Sequence, residues 1–278
     1  QMLTVQDTTR PQFTFIPANV TVSCEAIPAP GMPEATDNCS ADVDITYDGE
    51  TRTDGACPGS YSLLRRWTAT DLCGNTDVAE QMITVEDNTP PVLSAVPANA
   101  TVSCDNVPVA GMPAAADNCD NDVSVVYKGE TRTDGACPHA YNLLREWTAT
   151  DNCGNVSTAT QLLVVEDNIK PEFTFVPADV TVACEAVPAL ESPSATDNCT
   201  ETVIVSFNGE TRENGLCDDS YILRRQWTIS DLCGNTNSAV QTITVRDDTK
   251  PVFTSFPPDL TVSCETLLPL QVPTAADN

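Results

Sequence analysis

The chain has 278 residues, of which 41% are hydrophobic and 5% aromatic, and its 40 acidic and 13 basic residues give a formal net charge of −27. Such a charge repels nucleic acids and anionic membranes and favours cations. No run approaches the roughly 18 apolar residues of a membrane span. The composition therefore argues against a nucleic-acid partner and against membrane contact in this segment.

The cysteines recur with a period of 80 residues. The four series are Cys24, Cys104, Cys184 and Cys264; Cys39, Cys119 and Cys199; Cys57, Cys137 and Cys217; and Cys73, Cys153 and Cys233. A fixed period predicts tandem copies of one small domain. We expect copies at residues 10–89, 90–169 and 170–249. Residues 1–9 would be the tail of a preceding repeat and 250–278 the start of a truncated fourth, so the chain is expected to be a window of a longer array.

Cysteine at this density favours disulfide bonds over metal thiolates. The chain has one histidine, His139, and lacks the closely spaced CxxC pairs of tetrahedral zinc sites. Disulfides persist in oxidising compartments, and small domains use them to supplement a thin core. The sequence therefore predicts an extracellular protein with two disulfides in each copy.

Each copy begins with a proline-containing stretch and a first strand at residues 20–24, where apolar residues alternate. The Pro-rich residues 25–36 predict a poorly formed or edge strand that leads into a loop at 37–39. Residues 43–47 alternate again and predict a core strand. Residues 49–55 are rich in turn formers and predict a turn that holds at most a short strand.

The copy ends in a long hairpin that starts at Tyr61 and turns at Cys73, Gly74 and Asn75. Period-two spacing predicts that one face of this hairpin meets the core. The residues on that face are Tyr61, Leu63, Arg65, Trp67, Ala69, Ala79, Gln81, Ile83 and Val85. Short strands between turn signals predict an all-β fold with almost no helix. We expect a tandem array of small, disulfide-linked, Ig-like (Greek-key) β-sandwich domains of roughly seven strands, arranged end to end.

Several short motifs return in every copy. They are WTATDLCGN at Trp67, WTATDNCGN at Trp147, WTISDLCGN at Trp227, ITVEDNTPP at Ile83, and TDNC at Thr36 and Thr196. Together they resemble the HYR-like, immunoglobulin-like tandem repeats of giant Bacteroidota cell-surface adhesins, such as the flavobacterial gliding adhesin SprB. The resemblance implies display at the cell surface, type IX secretion and a part in gliding motility. HYR domains proper place their cysteines differently, so their disulfide pairing does not transfer.

Topology gives a pairing instead. The turn at Cys73 and the loop at Cys39 should lie at the end of the domain that faces the previous one, and Cys24 and Cys57 at the other end. Bonds between sequential cysteines would span a strand, beyond the roughly 7 Å Cα limit. We therefore expect a crossed pairing within each copy. The expected bonds are Cys24–Cys57, Cys39–Cys73, Cys104–Cys137, Cys119–Cys153, Cys184–Cys217 and Cys199–Cys233.

An arginine stands in the core-facing register of every copy, at Arg65, Arg145 and Arg225. A buried guanidinium is costly unless it is paired. Glu50, Glu130 and Glu210 are the candidate partners. Alternatively, the side chain lies at a sheet edge and snorkels to water. Neither interpretation is catalytic.

Three functional classes follow from these patterns. An enzyme is disfavoured, because the one histidine, His139, has Gly59 and Asp219 at the equivalent positions of the other copies. The leading interpretation is the structural stalk or filament shaft of a large cell-surface adhesin. Its partners would be neighbouring repeats and a surface or glycan ligand at a distal region. The alternative is a repeated extracellular ligand- or glycan-binding module.

Acidic, proline-ended linkers join the copies: QDTTRP, EDNTPP, EDNIKP and RDDTKP. They look like cadherin linkers, which bind calcium. The predicted topology gathers oxygen ligands suited to Ca²⁺ around each linker. The candidate metal residues are Asp7, Asp37, Asn38, Asp71 and Asn75; Asp87, Asn88, Asp117, Asn118, Asp151 and Asn155; and Asp167, Asn168, Asp197, Asn198, Asp231 and Asn235. Alternatively, these residues only form turns and cap loop backbone. No other cofactor is required.

Overall fold

The computed structural model describes residues 1–216, 219–263 and 269–277. Strands dominate this part of the chain, and its only helix is a single 3₁₀ turn at Cys184–Ala186. The predicted all-β, immunoglobulin-like sandwich class is confirmed. Across the same residues, the model contains no helix with the length and apolar character needed to cross a membrane.

Strands recur at the period of the cysteines. The first copy has β1 (Gln12–Phe15), β2 (Val20–Val22), β3 (Glu34–Thr36), β4 (Asp44–Asp54), β5 (Tyr61–Thr70) and β6 (Thr76–Val85). The second has β7 (Val92–Ser94), β8 (Ala100–Ser103), β9 (Ala114–Ala116), β10 (Ser124–Asp134), β11 (Tyr141–Thr150) and β12 (Val156–Glu166). The third has β13 (Glu172–Phe175), β14 (Val180–Ala183), β15 (Ser194–Thr196), β16 (Ile204–Asn214), β17 (Tyr221–Ser230) and β18 (Thr236–Arg246). Beyond it lie β19 (Val252–Ser255) and β20 (Thr274–Ala276). The first copy thus has six strands rather than about seven.

Each of the first three copies combines a small and a larger sheet. In the first copy, β1 pairs with β3, and the four-stranded sheet has the order β2-β6-β5-β4. Strand β2 runs parallel to β6, whereas β4, β5 and β6 are antiparallel neighbours. The Pro-rich segment supplies only the three residues of β3, as expected for an edge strand. The same sheet orders return in the second and third copies.

The hairpin β5–β6 carries the core. Leu63, Trp67, Ala69, Ile83 and Val85 are all buried, and Trp67 and Ile83 have no exposed surface. The two strands pair without a slip from Tyr61 opposite Val85 to Thr70 opposite Thr76. The period-two prediction of which face meets the core is therefore confirmed.

Residues 49–55 do not form the predicted turn, and that prediction is wrong. Strand β4 continues to Asp54 and pairs along all of β5, with a bulge between Tyr47 and Gly49. Gly49 has a φ of +104°, which glycine adopts without the clash of a Cβ atom. The bulge resets the register so that Glu50 lies opposite Arg65.

The chain folds as two compact units. The first comprises Gln1–Val102, Val107–Thr133 and Asn142–Val164, and the second comprises Ser103–Asn106, Asp134–Tyr141 and the chain from Val165 onward. All the boundaries between the two units therefore fall inside the second copy. The copy boundaries at 10–89, 90–169 and 170–249 stay a prediction from the sequence.

The buried arginine is paired in every copy. Arg65 is 2% exposed, and its Nε donates to Oε2 of Glu50 at 3.0 Å while Nη2 donates to the carbonyl of Pro28 at 2.7 Å. Arg145 and Arg225 make the equivalent pairs with Glu130 and Glu210. The ion-pair interpretation is confirmed, and the snorkelling alternative is wrong. This network ties β4 and β5 to the Pro-rich segment.

Replacing Arg65 with methionine should destabilise the first copy by about 2 kcal/mol, because the ion pair with Glu50 and the hydrogen bond to the carbonyl of Pro28 would both be lost. Glu50 is partly exposed and can regain water, so the loss should stay below that of a fully buried ion pair. Urea unfolding should show the difference. The control is Arg66→Met on the exposed face of β5, which should change stability by less than about 0.5 kcal/mol. Equal effects of the two variants would contradict this role.

Candidate functional site: the joints between copies

Three aspartates meet at each joint between copies. We call them the linker aspartate, the loop aspartate and the turn aspartate. They are Asp7, Asp37 and Asp71 at the first joint; Asp87, Asp117 and Asp151 at the second; and Asp167, Asp197 and Asp231 at the third. The first two joints lie in the first compact unit and the third lies in the second unit.

The turn aspartate closes the tight turn of the long hairpin. At the first joint, Oδ1 of Asp71 accepts the backbone N–H groups of Cys73 and Asn75, both at 2.8 Å, and Oδ2 accepts Nδ2 of Asn75 at 2.7 Å. These hydrogen bonds, that of the Asn75 side chain above all, hold the pKa of Asp71 below its ordinary value. The Asn75 amide also donates to the linker carbonyl of Asp7 at 3.3 Å, which ties the turn to the linker.

The loop aspartates, and the linker aspartates of the first two joints, each use one oxygen to cap backbone. At the second joint, Oδ1 of Asp87 accepts the N–H of Thr89 at 3.1 Å, and Oδ1 of Asp117 accepts the N–H groups of Cys119 and Asp120 at 2.8 and 3.0 Å. The interpretation of these residues as turn formers is therefore confirmed for these oxygens. It does not account for the second oxygen of each carboxylate.

The second oxygens are buried and have no hydrogen-bond partner among the described residues. They are Oδ2 of Asp7 and Asp87 in the linkers, and Oδ1 of Asp37 and Oδ2 of Asp117 and Asp197 in the loops; at Asp167 both oxygens lack a partner. Asp87 and Asp167 are only 6% and 5% exposed. Buried polar atoms are nearly always satisfied, so a pattern that repeats at three joints requires a physical cause.

Carboxylate oxygens converge at these joints. One oxygen from each of the three aspartates lies within 4.8 Å of the others at the first and third joints, and Asp87 and Asp117 lie equally close, with Sγ of Cys119, at the second. Burial raises the pKa of Asp87, and the charges of Asp117 and Asp151 raise it further. Burial, then Asp197 and Asp231, raise the pKa of Asp167. Each joint therefore concentrates negative charge where water is largely excluded.

The predicted asparagine ligands have other partners. Asn155 and Asn235 donate their amide N–H groups to the turn aspartate and to the linker carbonyl, as Asn75 does. The loop asparagines donate to cysteine sulfurs: Asn38 to Cys39, Asn118 to Cys24, and Asn198 to Cys104 and Cys199. Asn88 and Asn168 donate to the neighbouring Glu86 and Glu166. The structure thus brings together the aspartates of the predicted set, while the asparagine side chains donate to the turn aspartate and the linker carbonyl, to cysteine sulfurs or to a neighbouring glutamate.

Gly59, named above only as the counterpart of His139, makes room for the linker aspartate. A Cβ atom on Gly59 would lie 2.8 Å from Cβ of Asp87, so a side chain there would push the linker away. The equivalent residue in the next copy is His139, whose charge acts to lower the pKa of Asp167. The only sequence signal for this contact is that glycine, histidine and aspartate alternate at one position of the repeat.

Disulfides cross the joints. Cys24 bonds to Cys119 and Cys57 to Cys153 across the second joint, with Cα atoms 5.8 and 5.1 Å apart. Cys104–Cys199 and Cys137–Cys233 repeat both bonds across the third joint at the same Cα distances. The predicted bonds Cys24–Cys57, Cys39–Cys73, Cys104–Cys137, Cys119–Cys153 and Cys199–Cys233 are therefore wrong, and the predicted bond Cys184–Cys217 involves a residue outside the described part of the chain.

The error has a simple geometric origin. The loop and turn cysteines do lie at one end of the domain, and Cys24 and Cys57 lie at the other. The predicted pairing assumes, wrongly, that the four cysteines of one copy bond only to one another. Because opposite ends of consecutive copies meet at a joint, Cys24 lies closer to the loop cysteine of the next copy than to Cys57. The bonds follow that contact.

The remaining cysteines do not complete a bond within a copy. Cys39, Cys73 and Cys184 are unpaired in the part of the chain that the structure describes. The aspartates of the first joint surround Cys39, and desolvation, followed by the charges of Asp7 and Asp37, raises the pKa of its thiol. Cys217, the predicted partner of Cys184, and Cys264 lie outside the described residues.

Comparison with known proteins identifies the first copy. Residues 14–85 match the model of the HYR-like domain with 4 cysteines. No curated protein matches the chain. This match covers the first copy, and the second and third copies repeat its sheet orders. The disulfides of the chain indicate an extracellular protein, either secreted or held at a surface.

Solved structures of cadherin ectodomains show a distant likeness. Drosophila N-cadherin EC1-4 has 13% identity and a TM-score of 0.31, over 86% of this chain and 76% of that chain. The protocadherin GammaB4 extracellular domain has 16% identity and a TM-score of 0.35, over 89% of this chain and 51% of that chain. Human CDH23 EC21-23 has 14% identity and a TM-score of 0.32, over 84% and 100% of the two chains. At these TM-scores the likeness carries no functional argument.

Proposed function

We propose that this chain is part of the stalk or filament shaft of a large cell-surface adhesin, in which each repeat acts as a mechanical spacer. The observation that carries the proposal is the pair of disulfides at each of the second and third joints. A binding module needs only a folded domain, whereas bonds between consecutive copies connect the array covalently from one copy to the next. This connection is useful where a chain carries tension.

The bonds overlap along the sequence and form a covalent ladder. Cys24 bonds to Cys119, and Cys104, only 15 residues before Cys119, bonds to Cys199. A pull from Cys24 to Cys199 can therefore pass through those 15 residues and two disulfides. Fully extended, that route spans about 65 Å, whereas the unbonded chain between the same two cysteines would reach about 600 Å. Even after complete unfolding, the bonded chain would therefore extend much less than the same chain without disulfides.

The ladder predicts the result of a force experiment on the whole chain pulled by its termini. The non-overlapping bonds Cys24–Cys119 and Cys137–Cys233 span 95 and 96 residues. An oxidised chain should therefore extend about 650 Å less than the same chain after reduction. The matched control is Cys39→Ser with Cys73→Ser, which should keep the short extension. Equal extension of oxidised and reduced chains would contradict the proposal that the disulfides limit the extension of a shaft under tension.

The proposal also includes where the shaft is found and what process it serves. Display at the cell surface, type IX secretion and gliding motility rest on the resemblance of the repeated motifs. Electron microscopy of the native cell surface with an antibody against this chain should show filaments that are labelled along their length. Labelling confined to filament tips would favour the ligand-binding alternative.

A repeated ligand- or glycan-binding module remains the second candidate, and the tryptophans do not favour it. Glycan sites commonly use exposed aromatic rings, but Trp67, Trp147 and Trp227 are at most 1% exposed. Phe15 and Phe175 are exposed, but the second copy has Ala95 at the equivalent position, so these rings are not shared by every copy. A glycan-binding screen of the chain should therefore give no signal above that of a heat-unfolded sample.

A further inference from the structure

The free oxygens at each joint need a partner that the described residues do not supply. At the second joint these oxygens are Oδ2 of Asp87 and Oδ2 of Asp117. The amide donor of the turn, Nδ2 of Asn155, is already committed to Asp151 at 2.8 Å and to the carbonyl of Asp87 at 3.1 Å. The same commitment recurs at Asn75 and Asn235. A partner from outside the chain must therefore satisfy these oxygens.

The ligand atoms select the class of partner. Carboxylate oxygens are hard ligands that suit Ca²⁺ and Mg²⁺, and the cysteine sulfurs nearby belong to disulfides at the second and third joints, so they offer no thiolate. Ca²⁺ bonds to oxygen at about 2.3 to 2.6 Å, so one ion can bridge oxygens up to about 5 Å apart. The converging oxygens lie within 4.8 Å. Mg²⁺, with bonds of about 2.0 to 2.1 Å, would require them to move closer.

We propose that each joint binds one Ca²⁺ ion between the free oxygens of its linker and loop aspartates, with the turn aspartate alongside. The linker aspartate is the central ligand, because it is more than nine-tenths buried at the second and third joints. At the third joint both oxygens of Asp167 lack a partner among the described residues, and one of them lies within 4.8 Å of oxygens of Asp197 and Asp231. Water completes the coordination. Such a site should be weak, with a dissociation constant of about 10⁻⁴ to 10⁻³ M, as in extracellular modules.

Two variants that replace an aspartate with a neutral asparagine distinguish a calcium site from an acidic turn that binds no metal. Asp87→Asn and Asp167→Asn keep the size of the linker side chain, and Asp87→Asn also keeps an oxygen that can accept the N–H of Thr89. Both remove one of the charges that repel each other in the calcium-free joint. In the absence of calcium, each variant should therefore melt at a higher temperature than the wild type. In several millimolar calcium, the melting temperature of the wild type should rise, and that of each variant should rise by a smaller amount.

The experiment is calorimetric titration of the whole oxidised chain with CaCl₂ after chelator treatment, together with thermal melts. Each variant should bind one ion fewer than the wild type or bind at its altered joint at least tenfold more weakly. The matched control is Glu80→Gln, which also removes one negative charge but lies on the exposed face of β6. This variant should bind calcium as the wild type does. NaCl at equal ionic strength controls for screening.

Three outcomes would overturn the proposal. One is the absence of calcium heat and of a calcium-dependent melting shift in the wild type. The second is a melting shift that NaCl reproduces. The third is equal loss of binding in Glu80→Gln and Asp87→Asn. None of these readouts depends on whether the chain is a shaft, so the site and the proposed function fail separately.

Discussion

Removing the bond between Cys57 and Cys153 should lower the free energy of unfolding by about 4 kcal/mol and the melting temperature by about 10 °C. This bond closes a loop with a sequence separation of 96, so it restricts the unfolded chain more than the predicted bonds of about 33 residues would. The test is Cys57→Ala with Cys153→Ala in the oxidised chain, followed by thermal and urea unfolding. The second and first copies should also begin to melt separately, because one of two covalent ties between them is lost.

The chain contains its own control for this prediction. Cys39 and Cys73 are exposed and unpaired in the described structure, so Cys39→Ala with Cys73→Ala should shift the melting temperature by less than about 2 °C. If Cys39 and Cys73 were bonded to each other, this variant would instead lose as much stability as the first. That result would contradict the bonds across the joints.

Replacing Trp67 with alanine should destabilise the first copy by about 3 to 5 kcal/mol, because the removed side chain leaves a cavity as well as lost apolar contacts. Trp67 has no exposed surface and packs beside Tyr47. In a domain this small, the loss equals much of the total stability. Urea unfolding monitored by circular dichroism should show the first copy melting well before the others.

Two further variants separate packing from other causes. Trp67→Phe should cost much less than Trp67→Ala, because the indole Nε1–H has no hydrogen-bond partner among the described residues and a ring still fills the space. Leu72→Ala, in the turn and 78% exposed, should cost less than about 0.5 kcal/mol. A loss at Leu72 as large as that at Trp67 would place the core elsewhere.

Local sequence patterns were enough to predict most of the fold. The alternation in β5 and β6 predicted the buried face of the hairpin, and the presence of an arginine on that face predicted a paired charge opposite it. Strand β4 was predicted too short, because Gly49 resembles a turn former by composition. Its positive φ serves a bulge inside a continuous strand, and composition cannot distinguish these two uses.

The candidate site was predicted in part. The repeated acidic linkers, together with strand topology, were enough to bring Asp87 near Asp117. The sequence could not show that the Asn155 amide donates to Asp151 and to the linker carbonyl, because side-chain orientation depends on the folded turn. It also could not show that Gly59 leaves space for Asp87, since the two residues lie 28 positions apart and on no common strand.

The disulfide pairing was the largest departure. Pairing depends on which ends of consecutive copies meet, and no pattern within one copy contains that information. The equal spacing of the cysteines is compatible with bonds inside a copy and with bonds across a joint. Only the placement of Cys24 beside Cys119, with Cα atoms 5.8 Å apart, distinguishes them.

Peptide mapping of the alkylated, unreduced chain tests this cross-linked architecture most directly. Mass spectrometry should find the peptide of Cys24 linked to that of Cys119, and the peptide of Cys57 linked to that of Cys153, with alkylated thiols at Cys39 and Cys73. A peptide that links Cys24 to Cys57, or Cys39 to Cys73, would contradict the account, because each copy would then close its disulfides within itself and no ladder would connect the repeats.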